Sequence, residues 1–224
     1  MIETLPRDNQ AFTQGFLYHE GKFYESTGQY GESSLRRTDP ETGRVEEIHY
    51  LSEKLFGEGL ALMNGRLHQL TWKAGAGIIY DLTSFDRVGA FEYSGEGWGL
   101  TSDGTHLILS DGTSRLRFLD PATFKVVRTL TVRDHRGKVA DLNELEFIDG
   151  EIWANLWYRD DIIRISPETG HVTGILPLAG RLRPRPRDPD AVMNGIAWNE
   201  EKEILYVTGK DWSHVFGLRL RSER

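Results

Sequence analysis

Apolar residues occur along this chain in short runs that are separated by polar turns. Five of the runs resemble one another: GFLY, GLAL, GLTS, LEFI and GIAW. Short apolar runs bounded by turn residues predict β-strands, because an amphipathic helix needs a longer segment with a 3.6-residue period. The pattern therefore predicts an all-β protein with many short strands.

Two kinds of turn recur with a common period. The first is the Asp-Pro type, as in TDPETGRV, which begins at Asp39, Asp81, Asp120 and Ser166, in steps of 42, 39 and 46 residues. The second is a tight turn such as MNGR, whose glycines are Gly21, Gly65, Gly104 and Gly150, in steps of 44, 39 and 46 residues. A glycine after Asn or Asp between two apolar runs is a strong hairpin signal.

Each unit therefore consists of a strand, a hairpin, a second strand, a loop, a third strand, a turn and a fourth strand. A period of roughly 40–50 residues matches one four-stranded blade of a β-propeller. The chain contains five such units, so we predict one five-bladed, antiparallel propeller domain over residues 1–224. The alternative is a β-sandwich with coincidental spacing, which the shared period of two independent turns disfavours.

The fifth unit has only three recognisable strands, GIAW, ILYVTG and HVFGLRL. The segment IETL near the N-terminus is predicted to supply the missing outer strand, because this pairing closes the ring and leaves no open edge.

Residues 177–192, PLAGRLRPRPRDPDAV, break the period with four arginines among prolines. This composition predicts an extended surface loop inserted before the fifth unit. The loop is either a rim segment that contacts substrate or a solvated insertion, and the spacing alone favours the insertion.

The composition narrows the possible partners. The chain has 224 residues, 38% of them hydrophobic, which is enough for one all-β domain with a substantial core. The net charge of -7 predicts no nucleic-acid partner. No apolar stretch is long enough to span a membrane, so we expect no membrane partner. There is no cysteine, which excludes disulfides and thiolate chemistry.

The propeller model sorts the loops by face. We call the face where the inner strands begin the top face; the two recurrent turns then lie at the bottom. The top face receives the segments FTQGF, FGEGL, GEGWGL, LNELE and MNGIA, together with the loops between second and third strands. A concave site with a few polar groups and aromatic walls is the usual form of a ligand pocket. We predict that these side chains converge at one mouth of the channel: Gln14, Glu58, Trp72, Trp98, Asn143, Trp157, Asn194 and Lys210.

Glu58 is the strongest candidate for chemistry, since a turn between two glycines needs no carboxylate. Glu96 occupies the analogous place in the third unit and is the rival acid. For the other candidates structural roles remain open: tryptophans can pack between blades, asparagines can cap loops, and Lys210 can be a solvated surface lysine.

Known catalytic motifs are absent from the sequence. The seven histidines lack the spacing of a zinc site. There is no GxSxG, no Walker motif and no GxGxxG between a strand and a helix. We therefore predict neither a metal nor a cofactor.

Eight motifs in order resemble the plant- and bacterial-type glutaminyl-peptide cyclotransferases, or glutaminyl cyclases: FTQGF, FGEGL, LTWK, GEGWGLTSDG, DLNELEF, NLWYRDDIIRI, MNGIAW and TGKDW. The resemblance implies a five-bladed propeller that converts an N-terminal glutaminyl residue to pyroglutamate and releases ammonia. It implies that Glu58 is the essential acid. It also implies the remaining pocket positions Phe12, Gln14, Phe56, Trp72, Trp98, Asn143, Trp157 and Lys210.

The resemblance has further implications for partners and compartment. The substrates would be peptides or proteins with an N-terminal Gln, and we expect the chain to act as a monomer. Family members are commonly exported, which suggests a periplasmic or secreted protein. The first residues, MIETLPRDNQ, lack the basic start and apolar core of a secretory signal, so the compartment stays open. The Arg-rich segment 177–192 and the lack of cysteine depart from the family.

The residue types suit this chemistry. An α-amine has a reference pKa of about 8 and is largely protonated at neutral pH, so a carboxylate such as Glu58 can accept its proton and pass it to the departing ammonia. Asn143, Lys210 and an indole N–H are the expected donors to the oxyanion.

Two other functional classes remain open. One is a propeller that binds glycans or peptides without catalysis, and the other is a metal-dependent lactonase-like propeller that would use Glu58, Asn143 and Asn194 as ligands.

Overall fold

The computed structural model describes residues 1–220, and these residues form strands, turns and loops without helices. Five four-stranded antiparallel sheets surround a central channel, each with its first strand innermost. The predicted five-bladed propeller is confirmed. No helix that could cross a membrane occurs in this part of the chain.

The strand bounds follow the predicted units. Strand β1 covers Glu3–Pro6. The first blade contains β2 (Thr13–His19), β3 (Lys22–Thr27), β4 (Ser34–Thr38) and β5 (Val45–Tyr50). The second contains β6 (Gly57–Met63), β7 (Arg66–Thr71), β8 (Ala76–Asp81) and β9 (Arg87–Glu92). The third contains β10 (Leu100–Ser102), β11 (Leu107–Ser110), β12 (Arg115–Leu119) and β13 (Val126–Thr131).

A short ribbon, β14 (Arg133–Asp134) and β15 (Gly137–Lys138), precedes the fourth blade. That blade contains β16 (Leu142–Ile148), β17 (Glu151–Leu156), β18 (Asp161–Ile165) and β19 (Val172–Pro177). The fifth contains β20 (Met193–Asn199), β21 (Ile204–Gly209) and β22 (His214–Leu218), and β1 completes it.

The ring closes as predicted, through pairing of the N-terminal strand with the last strand. Strand β1 runs antiparallel to β22, with Glu3 opposite Gly217 and Pro6 opposite His214. The N–H of Ile2 extends the ladder by donating to the carbonyl oxygen of Gly217 at 2.8 Å. The edge of β22 is therefore paired, and β1 becomes the outermost strand of the fifth blade.

Arg7 joins the two blades that meet at this closure. Its guanidinium donates to the carbonyl oxygens of Gly209 and Trp212 in the fifth blade, at 3.0 and 2.8 Å. It also forms an ion pair with Glu25 of the first blade, and both side chains are almost fully buried. Because a buried ion pair is costly to break from one side only, Arg7 fixes how the last blade sits against the first.

The hydrophobic core is divided into five clusters, one between each pair of neighbouring blades. The cluster between the fifth and first blades, for example, packs Tyr206 and Val215 against Phe16 and Phe23. Each sheet is thus buried on both faces near the channel, and apolar burial holds the blades in a ring.

The Arg-rich segment 177–192 is anchored in this core. Leu178 and Leu182 are buried at 3% and 1% exposure in the cluster between the fourth and fifth blades, whereas Arg183 and Arg187 face solvent. The segment is thus a surface insertion that is exposed over most of its length. Four buried residues anchor it: Leu178, Leu182, Ala191 and Val192.

We predict that deletion of residues 1–6 lowers the unfolding temperature by several degrees. The deletion exposes the edge of β22, and each kcal/mol lost from a domain of this size lowers the midpoint by about 2–4 °C. Thermal unfolding followed by circular dichroism measures the effect, with Thr4→Ser as the control because it keeps the backbone pairing. An unchanged midpoint in the truncated chain would show that β1 contributes nothing to closure.

Candidate active site

Four of the polar residues predicted for the site lie in the same backbone feature, a β-bulge. The pairing register shifts at the start of four inner strands, between Thr13 and Gly15, Gly57 and Leu60, Leu142 and Leu145, and Met193 and Ile196. A β-bulge redirects a side chain out of the regular alternation. The residues in the four bulges include Gln14, Glu58, Asn143 and Asn194. The repeated bulge therefore aims one polar residue from each of these four blades at the channel.

Glycines at the starts of the inner strands allow these strands to approach one another closely. A Cβ on Gly59 would lie 2.5 Å from the carbonyl carbon of Gly99 in the next blade. A Cβ on Gly99 would lie 2.9 Å from the Cα of Glu144 in the blade after that. The N–H of Gly59 also donates to the carbonyl oxygen of Trp98 at 2.6 Å. The glycines flanking Glu58 are thus explained by backbone contact between blades.

A repeated backbone hydrogen bond places the loop between the second and third strands of a blade beside the bulge of the same blade. In four blades, the first residue of that loop donates its N–H to the carbonyl two residues before the bulge residue. The pairs are Gly28 to Phe12, Trp72 to Phe56, Trp157 to Asp141 and Lys210 to Val192, at 2.8, 2.9, 2.9 and 3.0 Å. Trp72, Trp157 and Lys210 therefore stand next to the channel mouth.

These elements enclose a cavity of about 160 Å³ on the top face. Nine of the ten predicted site residues line it: Phe12, Gln14, Phe56, Glu58, Trp72, Trp98, Asn143, Trp157 and Lys210. Larger clefts exist, of about 980 Å³ beside β19 and β22 and about 740 Å³ at the bottom of the channel. The first has no acid in its lining, and the second contains the acid Glu146 but no buried lysine.

Aromatic rings form the walls of the cavity. Phe56 packs edge-on against Trp72 at 5.5 Å between ring centroids, and Trp98 packs edge-on against Trp157 at 5.2 Å. The Lys210 ammonium lies 4.5 Å from the centroid of the Phe12 ring, a cation–π distance. The cavity is therefore apolar except for the few groups that the bulges and Lys210 supply.

Glu58 is held at the end of a buried hydrogen-bond chain. The Gln14 amide donates to its carboxylate, with 2.9 Å between Nε2 and Oε1. Asn194 in turn donates from Nδ2 to Oε1 of Gln14 at 3.0 Å and to the carbonyl oxygen of Thr13 at 3.0 Å. Asn194 thus lies beneath Gln14, outside the cavity, and orients the Gln14 amide so that its N–H₂ faces Glu58.

Burial dominates the electrostatics of the site. Glu58 is only 4% exposed, and desolvation raises its pKa well above the ordinary carboxyl value. The charge of Lys210 lowers this pKa, the charge of Glu96 raises it, and the Gln14 hydrogen bond lowers it. Burial likewise lowers the pKa of Lys210, which Glu58 opposes. The buried acid and the buried cation therefore stabilise each other's charged forms.

Two polar groups at the cavity have no partner in residues 1–220. The Asn143 side chain is buried, and its Oδ1 accepts no hydrogen bond there. Within the same residues the Lys210 ammonium, at 6% exposure, makes no hydrogen bond or ion pair. Unpaired polar groups in an apolar cavity are costly, so both are well suited to a polar ligand.

Comparison with known proteins identifies the family. The glutamine cyclotransferase family model matches residues 1–220. The chain belongs to the glutamine cyclotransferase family. The glutaminyl-peptide cyclotransferase of Arabidopsis thaliana is 43% identical over 227 residues, which cover 99% of this chain and 71% of the relative.

Solved structures agree with this assignment to the glutamine cyclotransferases. The crystal structure of Myxococcus xanthus glutaminyl cyclase matches with a TM-score of 0.89 and 35% identity, over 98% of this chain and 94% of that chain. The WD40 repeats of RRP9 match with a TM-score of 0.60 and 11% identity, over 97% of each chain. The second likeness concerns the fold alone.

Glu96, the rival acid, has a different position in this cyclotransferase-family chain. Its carboxylate accepts the indole N–H groups of Trp72 and Trp98, at 2.8 and 3.0 Å. It is absent from the cavity lining. The expectation that an indole N–H donates to a substrate oxyanion is therefore wrong for these two tryptophans, because their N–H groups are already bonded.

Two further acids in the channel were missed by the sequence analysis. Glu144, fully buried, accepts the N–H groups of Phe16 and Ile196 at 3.2 and 2.8 Å, and thereby links the fourth blade to the first and fifth. Glu146 accepts the N–H of Trp198 at 3.1 Å, and burial raises its pKa to about 8. Only their place in the segment LNELE, directly after a candidate asparagine, could have pointed to them.

Across residues 1–220, no group of three or more His, Cys, Asp or Glu side chains is arranged to hold a metal ion.

We predict that Gly59→Ala destabilises the protein far more than Gly65→Ala. The new Cβ at position 59 would meet backbone atoms that cannot move independently, so we expect a loss of about 3 kcal/mol or more in the free energy of unfolding. Gly65 has a positive φ of 69° but open space around it, so its replacement should cost about 1 kcal/mol. Urea denaturation compares the two, and equal losses would contradict the close-contact explanation.

Proposed function

We propose that this protein cyclises N-terminal glutaminyl residues of peptides and proteins to pyroglutamate and releases ammonia. The observation that carries the proposal is a buried carboxylate, Glu58, at an aromatic cavity that also contains a buried lysine. The membership in the glutamine cyclotransferase family supports the same activity. A cavity of about 160 Å³ is small beside the roughly 300–1,000 Å³ of ordinary ligand pockets, so it suits a single side chain.

Glu58 is proposed to move the proton. Its carboxylate takes one proton from the substrate α-ammonium, and the free amine then attacks the γ-carboxamide carbon. Glu58 returns this proton to the amide nitrogen, which leaves as ammonia. The ring nitrogen loses its second proton to the departing ammonia, so the products are the lactam and ammonium. A raised pKa suits Glu58 to this exchange, because an acid–base group works best when its pKa lies near the pH at which the enzyme operates.

Lys210 and Asn143 are proposed to stabilise the oxyanion of the tetrahedral intermediate. Both side chains line the cavity and carry N–H donors, and the Oδ1 of the Asn143 amide has no hydrogen-bond partner among the described residues. Preorganised donors in a site that excludes water provide a large share of catalysis in acyl transfer. The aromatic walls would hold the glutamine side chain in a ring-closing rotamer, which lowers the entropic part of the barrier.

One chain is proposed to suffice for this activity. Each of the five blades contributes to the cavity lining, so the cavity wall is complete around the ring of one chain.

We predict that Glu58→Gln lowers turnover at least roughly 10²-fold while the protein stays folded. Glutamine keeps the size of the side chain but cannot carry a proton. Ammonia release from a Gln-initiated dipeptide measures turnover, and binding of a non-cyclising N-terminal analogue should weaken much less.

Glu53→Gln is the matched control for this variant, because Glu53 is exposed in the loop that leads to the same inner strand. It should retain wild-type turnover. Near wild-type turnover in Glu58→Gln would contradict the assignment, and peptide binding without ammonia release by the wild type would contradict the activity itself.

We predict that the acid side of the pH profile depends on Lys210. Activity needs ionised Glu58, so kcat/KM falls as the pH drops through its raised pKa. Lys210 lowers that pKa, and Lys210→Met should therefore move the acid limb to higher pH. Protonation of the substrate amine affects the pH profile of kcat/KM equally in every variant. Lys54→Met, an exposed lysine on the same face, should leave the limb in place; a shift to lower pH in Lys210→Met would overturn the electrostatic argument.

A further inference from the structure

Glu96 contacts two walls of the cavity at once. Trp72 follows the second strand of the second blade, and Trp98 precedes the inner strand of the third. Their indole N–H groups donate to the same carboxylate oxygen of Glu96, at 2.8 and 3.0 Å. Charge-assisted hydrogen bonds of this kind are stronger than neutral ones, so the carboxylate restrains both rings.

The backbone that carries Glu96 is itself fixed on two sides. Arg117 of β12 donates from Nη2 to the carbonyl oxygen of Glu96 at 2.7 Å, and from Nη1 to that of Ser94. On the other side the N–H of Gly97 donates to the carbonyl oxygen of Trp72 at 3.0 Å. Hydrogen bonds on both sides therefore fix the loop that presents the Glu96 carboxylate to the indoles.

We propose that Glu96 is a positioning residue, which fixes Trp72 and Trp98 as walls of the substrate cavity by accepting both of their indole N–H bonds. It touches no reacting atom in this arrangement and acts through the two rings. Its catalytic consequence rests on the proposed function, whereas the double hydrogen bond can be tested without catalysis.

Glu96 also places a negative charge near Glu58. The titratable groups that interact with Glu58 are Lys210, Glu96 and Tyr93. Removal of the Glu96 charge therefore lowers the pKa of Glu58 and moves the acid limb of kcat/KM to lower pH. This is opposite to the shift expected for Lys210→Met, and a purely structural role for Glu96 would not produce it.

The test compares Glu96→Gln, Glu96→Ala and the control Asp141→Asn. The Gln carbonyl can still accept both indoles but carries no charge, whereas Ala removes the acceptor. Asp141 is an exposed acid on the same face, and its φ of 62° is one that Asn adopts readily. Indole N–H signals in ¹H–¹⁵N spectra, assigned with Trp72→Phe and Trp98→Phe, report the hydrogen bonds directly.

In Glu96→Ala we expect both indole signals to move upfield and their hydrogen exchange to accelerate, with kcat/KM lower by about tenfold or more. In Glu96→Gln we expect slow exchange to persist and the acid limb to move to lower pH. Asp141→Asn should change neither. Indole signals that are unaffected by Glu96→Ala, or an unmoved acid limb in Glu96→Gln, would overturn the proposal. A wild type that bonds both indoles but releases no ammonia would refute the proposed activity and leave the double hydrogen bond standing.

Discussion

The candidate site depends on how closely the inner strands approach one another around the channel. Gly59 and Gly99 lie where neighbouring backbones touch, and no side chain fits between them. The register shifts of β6 and β16 occur at this level. A bulge also turns a side chain away from the sheet and toward the axis. The close backbone contact at Gly59 and the presentation of Glu58 therefore belong to the same bulge, between Gly57 and Leu60.

A second consequence of this packing is electrostatic. Glu58 lies in an apolar cavity where water cannot solvate its charge, and burial exceeds the opposing effect of Lys210 and the Gln14 hydrogen bond. The same burial weakens the protonation of Lys210. The two groups form no direct hydrogen bond or ion pair, and both line the cavity. The site therefore presents a buried acid and a buried cation separately to the cavity.

The sequence predicted the blades and most of the site because both follow from local, repeated signals. The turns at Asp39 and Gly65 repeat with the blade period, and Glu58 stands out against its glycines. Nonlocal contacts could not be obtained this way. The position of Asn194 beneath Gln14, and of Glu96 behind two indoles, depends on hydrogen bonds between residues far apart in the chain. The burial of Leu182 in an Arg- and Pro-rich segment likewise depends on an interblade groove that composition does not reveal.

The closure of the ring by β1 sets the order in which the molecule can be completed during synthesis. Glu3 pairs with Gly217, so its partner is made 214 residues later. At the usual ribosomal rate of about 5–20 residues per second, β1 waits roughly 10–40 seconds for β22. The first four blades pair only strands that are close in sequence, whereas the fifth blade needs both ends of the described chain. The ring can therefore close only after translation has reached the last strand.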